Sequence, residues 1–185
     1  LSRPAWVQVL SNGNWLITNT GKNEILELDP NTGTPIWSSL PFALKAPRKA
    51  LLTADQGIAI VEFDRHRIVF LSRERVQLKE FVGFDHPSDL LETASGWMIL
   101  DRDRQRLALC GLDATCSTYL ELPAKRPLAL ALSQEGKLYV LFEQAPQRWN
   151  WYMVQRPFDR AIERQAQQHI AEDQTHNLRY FWWDG

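Results

Sequence analysis

The sequence predicts an all-β fold, a β-propeller of about four antiparallel blades with four strands each. Four times, a proline is followed nine or ten residues later by a glycine that opens an apolar run. The pairs are Pro4/Gly13, Pro47/Gly57, Pro87/Gly96 and Pro127/Gly136. Successive glycines are 44, 39 and 40 residues apart. Repeats with a period of about 40 residues are typical of propellers and solenoids.

The first repeat contains four segments with the composition of β-strands. An apolar segment over 6–10 precedes a polar turn with Gly13, where glycine supplies the positive φ of a tight hairpin. Apolar segments over 15–17 and 25–28 follow, and a more polar segment over 35–37 ends the repeat. The same order recurs within 1–170, with blade boundaries at approximately 4–40, 41–84, 85–125 and 126–170. Apolar inner strands and a polar outer strand are expected for a blade that extends from axis to rim.

Two other architectures also produce regular short segments. An open β-sandwich with regular hairpins would have strands at similar spacing. A helical repeat is disfavoured because few segments carry apolar residues at helical spacing. Only the segment 159–172 is compatible with a helix, and it is also compatible with a long outer strand.

The last residues, 171–185, form an aromatic tail with the pattern of a first strand followed by a turn glycine. It contains the predicted partner surface, Tyr180, Phe181, Trp182 and Trp183. Exposed, these rings would form an apolar patch that marks a partner contact, whereas buried they would be ordinary blade packing. The tail starts a fifth blade, closes a four-bladed ring, or meets a second chain. We expect a fragment of a larger ring, and a protein partner or a second copy that covers the tail.

Charge and motif content exclude several classes of function. The formal net charge is −1 and the charges are scattered, whereas nucleic-acid binding requires a basic stripe. No apolar run reaches the roughly 18 residues of a membrane span. The sequence contains no nucleophile elbow, phosphate loop or HExxH motif. We therefore predict no nucleic-acid partner, no membrane span, no cofactor, no metal site and no catalytic residue.

The two cysteines are placed to face each other. Cys110 ends a predicted third strand and Cys116 begins a fourth, with a turn centred on Asp113 between them. Directly opposed antiparallel residues have Cα atoms about 4.5 Å apart, within the range of a disulfide. A disulfide would indicate an oxidising compartment, periplasmic or secreted. Two buried thiols that act as small apolar side chains are equally compatible with the sequence.

Polar residues collect on one predicted face, where the connections between second and third strands emerge. The predicted binding face consists of Asn19, Glu62, Asp64, Arg65, Asp101, Arg102 and Asp103. Glu62 and Asp101 occupy the same repeat position, directly after the second strand, and such oxygen ligands suit a hard cation such as Ca²⁺. The alternative interpretation is solvated charge paired with neighbouring arginines. His66 and His86 lie near the same face. A catalytic or ligand role is one interpretation of His86, and an ordinary loop histidine is the favoured one.

Two repeats resemble known families. Residues 12–37, ending in Thr32-Gly33 and Trp37, resemble quinoprotein-like and arylsulfotransferase-like bacterial propellers, in which a similar tryptophan packs between blades. The third repeat, with Gly96-Trp97 followed by Asp101-Arg102, resembles an NHL repeat. The resemblance covers residues 4–142 as a blade pattern and implies a bacterial propeller. It implies no quinone cofactor, because only the first repeat keeps the Thr-Gly-x-x-x-Trp ending.

These observations predict a non-catalytic propeller module for protein binding or complex assembly outside the cytoplasm. The alternative is a propeller enzyme of the lactonase, lyase or sulfotransferase kind, with an acidic or metal site on the loop face. No histidine falls at a repeated inner position, where a sulfotransferase would need its catalytic histidines.

Overall fold

Strands dominate the computed structural model, which describes residues 1–93, 96–122, 126–133, 137–145 and 148–154. The first blade contains β1 (Pro4–Val9), β2 (Trp15–Asn19), β3 (Glu24–Leu28) and β4 (Pro35–Ser38). The second contains β5 (Pro47–Leu52), β6 (Ile58–Glu62), β7 (Arg67–Leu71) and β8 (Gln77–Phe81). The third contains β9 (Pro87–Thr93), β10 (Gly96–Asp101), β11 (Arg106–Gly111) and β12 (Cys116–Glu121). The fourth contains β13 (Pro127–Leu132), β14 (Leu138–Ala145) and β15 (Arg148–Met153).

The strands of each blade follow one another in sheet order and pair antiparallel. Three sheets have four strands, and the described part of the fourth sheet has three. This arrangement confirms the predicted all-β blades. The segment 159–172 and the aromatic tail 171–185 lie outside the described residues.

Glycine is required at the first turn of the repeat. Gly13 adopts φ +85° in the turn between β1 and β2, a conformation that other residues rarely adopt. At the start of β10, a Cβ on Gly96 would lie 2.0 Å from the carbonyl oxygen of Cys110. Gly13 thus provides a positive φ, and Gly96 permits a close approach of two backbone segments.

Hydrophobic clusters lie between successive blades. They join blades one and two (Leu16, Ile25, Ile58 and Ile60), blades two and three (Ala59, Phe70, Trp97 and Ile99), and blades three and four (Met98, Leu100, Val140 and Phe142). In β10, alternate residues therefore face opposite neighbours, because side chains alternate across a strand. A sheet buried on both faces explains why the second strand of each repeat is a continuous apolar run.

A buried ion pair joins the innermost strands. Lys49 Nζ on β5 lies 2.7 Å from Asp89 Oδ1 on β9, and both side chains are buried. The same ammonium lies 4.2 Å from the ring centroid of Trp6 on β1. Asp89 Oδ2 accepts a hydrogen bond of 2.7 Å from the backbone N–H of Leu130 on β13. Trp6, Lys49 and Asp89, each two residues after the first proline of its repeat, thus connect the first three blades, and Asp89 reaches the fourth through the backbone N–H of Leu130.

Removal of Lys49 is expected to destabilise the protein strongly. The variant Lys49→Ala leaves the Asp89 carboxylate buried without its counter-ion, which costs about 3–5 kcal/mol. Urea unfolding followed by fluorescence measures the loss. The control Lys22→Ala removes an exposed lysine and is expected to change stability by no more than about 0.5 kcal/mol. Similar losses in both variants would contradict the role of the ion pair.

The third blade carries a disulfide on its outer hairpin. Cys110 of β11 and Cys116 of β12 are directly opposed in register. Their sulfurs are bonded, closing a loop with a sequence separation of 6. The bond restrains the hairpin that holds the outermost strand of the blade.

Reduction of this disulfide is expected to lower stability modestly. Closing so short a loop removes unfolded-state entropy worth about 2 kcal/mol. Unfolding midpoints with and without reductant measure the loss, and the double variant Cys110→Ala/Cys116→Ala should show no reductant effect. Two free thiols in a non-reducing mass spectrum of purified protein would contradict the pairing.

Candidate functional site

The last residue of the second strand holds the loop that leads into its blade. Asn19, Glu62 and Asp101 occupy this place in β2, β6 and β10, and all three are buried. Asn19 Oδ1 accepts a hydrogen bond of 2.6 Å from Ser2 N–H. Glu62 Oε1 accepts one of 2.6 Å from Lys45 N–H, and Asp101 Oδ1 one of 2.7 Å from Asp85 N–H. Each donor lies two residues before the first proline of the repeat. We call these three residues the clip residues.

Each clip residue also bonds the first residue of the third strand. Asn19 Nδ2 donates to Glu24 Oε1 at 2.6 Å. Arg67 Nε donates to Glu62 Oε2 at 2.6 Å, and Arg106 Nε donates to Asp101 Oδ2 at 2.8 Å. Both oxygens of each carboxylate are therefore occupied within the fold.

The charge of a clip residue is matched by its arginine. Burial lowers the pKa of Arg67, but the hydrogen bonds and charges of Glu62 and Glu80 outweigh burial and raise that pKa above its ordinary value. The two glutamates therefore favour the charged form of the Arg67 guanidinium. Glu62 pairs with Arg67, five residues later and across the turn. The neighbouring Arg65 is a second partner, with its Nε 3.4 Å from Glu62 Oε1.

The other residues of the predicted binding face are distributed over the second and third blades. Asp64 is exposed in the connection between β6 and β7. The Arg102 guanidinium lies 5.6 Å from the ring centroid of Phe63. Asp103 Oδ2 lies 2.9 Å from His86 Nδ1. Asp103 of the predicted binding face therefore belongs to a cluster of titratable side chains. The sequence did not indicate this cluster.

Two histidines and two aspartates meet between the second and third blades. His66 follows β6, Asp85 and His86 precede β9, and Asp103 lies between β10 and β11. We call these four residues the histidine cluster. Asp85 Oδ1 lies 3.4 Å from His66 Nδ1 and 3.1 Å from His86 Nδ1. The two imidazole centroids are 4.3 Å apart.

Backbone conformation brings the two histidines together. His66 has φ +57° at the end of its connection, and His86 has φ +52° before Pro87. The N–H of His86 donates to His66 Nδ1 at 3.1 Å. Between blades one and two, the N–H of Ala46 donates to Asn23 Oδ1 in the same way, at 2.8 Å. The histidine pair therefore occupies a hydrogen-bonding position that recurs between blades.

Aromatic and cationic groups flank the histidine cluster. The Phe63 ring lies 4.6 Å from the His86 ring, measured between centroids. The Arg48 guanidinium lies 4.5 Å from the centroid of the Phe63 ring. Burial, and next the charge of Arg102, lower the pKa of Arg48. One side of the histidine cluster thus packs against the Phe63 ring, and the other side is exposed to solvent.

One face of the first blade is apolar and partly exposed, with Ile17 buried and its neighbours open to solvent. Register places Val7, Val9, Trp15 and Ile17 on one side of the sheet. Val7, Val9 and Trp15 are 52%, 47% and 42% exposed. We call these three residues the open face. Within the described residues, no hydrophobic cluster joins the fourth blade to the first.

The predicted partner surface Tyr180, Phe181, Trp182 and Trp183 lies outside the described residues. Among the described strands and turns, no helix is long and apolar enough to cross a membrane.

Solved structures of β-propellers are similar to this chain. The streptogramin B lyase structure matches with a TM-score of 0.63 and 17% identity, over 83% of this chain and 55% of that chain. Hydrazine synthase of Kuenenia stuttgartiensis matches with a TM-score of 0.67 and 12% identity, over 83% and 46%. The WD40 β-propeller domain of Doa1 matches with a TM-score of 0.65 and 12% identity, over 83% and 51%. The chain has a β-propeller fold.

The similarity extends to the fold alone, since identities this low carry no function. The chain spans about half the length of these solved structures. No protein-family model and no curated protein matches the sequence.

Loss of a clip carboxylate is expected to affect stability. Glu62→Ala and Asp101→Ala each remove the buried carboxylate that accepts a loop N–H and pairs with a partly buried arginine. The loop N–H left without its partner costs about 1–3 kcal/mol. Chemical unfolding measures the loss. Asp64→Ala, in the same connection but exposed, is the control and should cost less than about 0.5 kcal/mol. Loss of bound Ca²⁺ without loss of stability would instead favour a metal-binding role for these carboxylates.

Proposed function

We propose that this chain is a non-catalytic propeller module for protein binding or complex assembly, and that its open face is the contact surface. The observation that carries the proposal is the exposure of Val7, Val9 and Trp15 on a sheet face built like the buried ones. Apolar patches on a protein surface mark contacts with other proteins when they are contiguous.

The other blades show what this face is built for. The residues equivalent to Val7, three after the first proline, are Ala50, Leu90 and Leu130, and their exposures are 0%, 0% and 7%. The residues that occupy the register position of Trp15 are Ile58, Trp97 and Leu138, and all are buried. Each packs against the preceding blade. The open face therefore has the composition of an interface between blades. We expect another blade-like sheet to pack on it.

The partner is a second copy of this chain or another protein with a sheet face. Either occupant would cover the same side chains, because both would complete the interface that other blades form. The predicted aromatic partner surface, Tyr180, Phe181, Trp182 and Trp183, belongs to the same proposal as a second contact of the assembly.

We further propose a location outside the cytoplasm, periplasmic or secreted. The Cys110–Cys116 disulfide supports this location, because disulfides persist in oxidising compartments. The NHL-like and quinoprotein-like character of the repeats supports a bacterial envelope protein.

An enzyme of the lactonase, lyase or sulfotransferase kind is the less supported alternative. Its acidic site on the loop face would use Glu62 and Asp101, whose oxygens already accept hydrogen bonds within the fold. Similarity to a lyase structure at 17% identity does not carry that activity over.

A charge on the open face is expected to abolish association. Sedimentation of the full chain should show species larger than the 21.4 kDa monomer, or a stable complex with its partner. Val7→Lys/Val9→Lys should return the chain to a monomer, because lysine ammonium groups cannot be desolvated in an apolar interface. Val76→Lys/Leu78→Lys places the same charges on other exposed apolar residues and should leave association unchanged.

Thiol labelling of Val9→Cys reports the state of the face directly. The thiol should react in the Val7→Lys monomer and be protected in the assembled protein. A Val9→Cys chain that is monomeric and in which this thiol is already protected would contradict the proposal, because the open face would then be covered by the chain itself.

A further inference from the structure

We propose that His66, Asp85, His86 and Asp103 bind one divalent transition-metal ion of the zinc type between the second and third blades. The proposal is independent of the assembly function. It rests on the positions of the ligand atoms, on an unsatisfied nitrogen, and on the charge and chemistry of the four side chains.

The ligand atoms have the spacing of a small coordination sphere. One ligand atom from each of His66, Asp85 and His86 lies within 4.8 Å of the other two. Asp85 Oδ1 is 3.4 Å and 3.1 Å from the two Nδ1 atoms, and Asp103 Oδ2 is 2.9 Å from His86 Nδ1. In tetrahedral zinc, bonds of about 2.0–2.1 Å place neighbouring ligands roughly 3.3 Å apart. Small shifts of exposed side chains would therefore open the cluster around an ion.

His86 Nδ1 has no hydrogen-bond partner among the residues that the structure describes. The atom is buried and makes no hydrogen bond of acceptable geometry. The oxygens of Asp85 and Asp103 nevertheless lie close to it, off the direction of a good bond. Buried polar atoms are normally satisfied. An ion held between this nitrogen and the two carboxylates would satisfy all three groups at once.

His66 would bind the ion through its Nδ1 atom. Its Nδ1 accepts a hydrogen bond from the N–H of His86 and lies 3.4 Å from Asp85 Oδ1. An ion bound at Nδ1 would take the place of the N–H of His86, because metal ligation uses the lone pair of a deprotonated nitrogen.

Charge favours a divalent ion over a monovalent one or none. Two aspartates balance two positive charges, and neutral imidazoles add no charge. Imidazole ligands select zinc and its neighbours in the transition series over calcium or magnesium. Arg102 Nε lies 3.9 Å from Asp103 Oδ1, the oxygen that faces away from His86. The Arg48 guanidinium is directed to the Phe63 ring rather than to the carboxylates.

The ligands come from three connections of two blades. His66 belongs to the second blade, while Asp85, His86 and Asp103 belong to the third. Four protein ligands are typical of structural zinc sites. Side-chain exposures between 32% and 45% give an ion access from solvent. The ion would therefore cross-link the two blades and stabilise the folded state.

The repeat supplies matched variants that remove ligands without disturbing the backbone. His66→Asn installs the residue that blade one has at this place, Asn23, and retains an acceptor for the N–H of residue 86. His86→Ala installs the residue that blade two has there, Ala46, which also has positive φ. Arg3→Ala makes the same kind of change before the first proline of blade one and serves as the control.

Calorimetric titration of the tag-free, metal-stripped chain with Zn²⁺ tests the proposal. We expect one ion per chain and a rise in the unfolding temperature with Zn²⁺ concentration, as for any ligand of the folded state. His66→Asn and His86→Ala should each weaken binding by more than about 100-fold, beyond the loss caused by outer-shell changes. Arg3→Ala should bind as the wild type does. Co²⁺ in place of Zn²⁺ should give the visible absorption of a four-coordinate site, lost in both histidine variants.

Three results would overturn the proposal. They are the absence of stoichiometric Zn²⁺ binding by the wild type, binding that survives both histidine substitutions, and binding that Arg3→Ala weakens as much as they do. Circular dichroism and urea unfolding of each variant separate loss of a ligand from loss of the fold, because a folded variant that fails to bind has lost the site.

Discussion

Burial of sheet faces between neighbouring blades is the constraint on which this structure depends. A strand such as β10 has Trp97 and Ile99 packed on one neighbour and Met98 and Leu100 packed on the other. No blade can therefore be stable in isolation, because each leaves apolar surface in water unless neighbours flank it. The Lys49–Asp89 pair adds direction to this packing, since it fixes which inner strands are adjacent.

The loops follow from the same constraint. Once sheets stack, the connections at their ends lie side by side, and a buried carboxylate at the end of the second strand fixes the loop ahead of it. Glu62 and Asp101 do this through bonds to the N–H groups of Lys45 and Asp85. Fixing Asp85 also positions the adjacent His86 beside the preceding blade, so the histidine cluster is a consequence of the clip as much as of its own side chains.

Local patterns in the sequence predicted the strands and the opposed cysteines, because a proline, a turn glycine and a short apolar run act within one hairpin. The roles of Glu62 and Asp101 could not be predicted, since their partners are backbone N–H groups 17 and 16 residues away. An acidic side chain after a strand has the same appearance whether it faces solvent or closes a loop. The sequence placed His66 and His86 near one face but did not predict that they meet, because only the packing of adjacent blades brings residues 20 apart in sequence together. Their repeat positions, equivalent to Asn23 and Ala46, were the available signal.

The left-handed positions of the repeat separate backbone geometry from side-chain chemistry. Before the first proline of each repeat, the chain carries arginine, alanine, histidine and arginine (Arg3, Ala46, His86 and Arg126), all with φ between 43° and 59°. Asparagine, histidine and glutamine (Asn23, His66 and Gln105) occupy the second such position. The fold evidently tolerates a free choice of residue at both places. Each junction between blades can therefore carry its own pair of side chains at these two positions. Substitution of both residues would change the binding properties of one junction while the backbone of the blades stays the same.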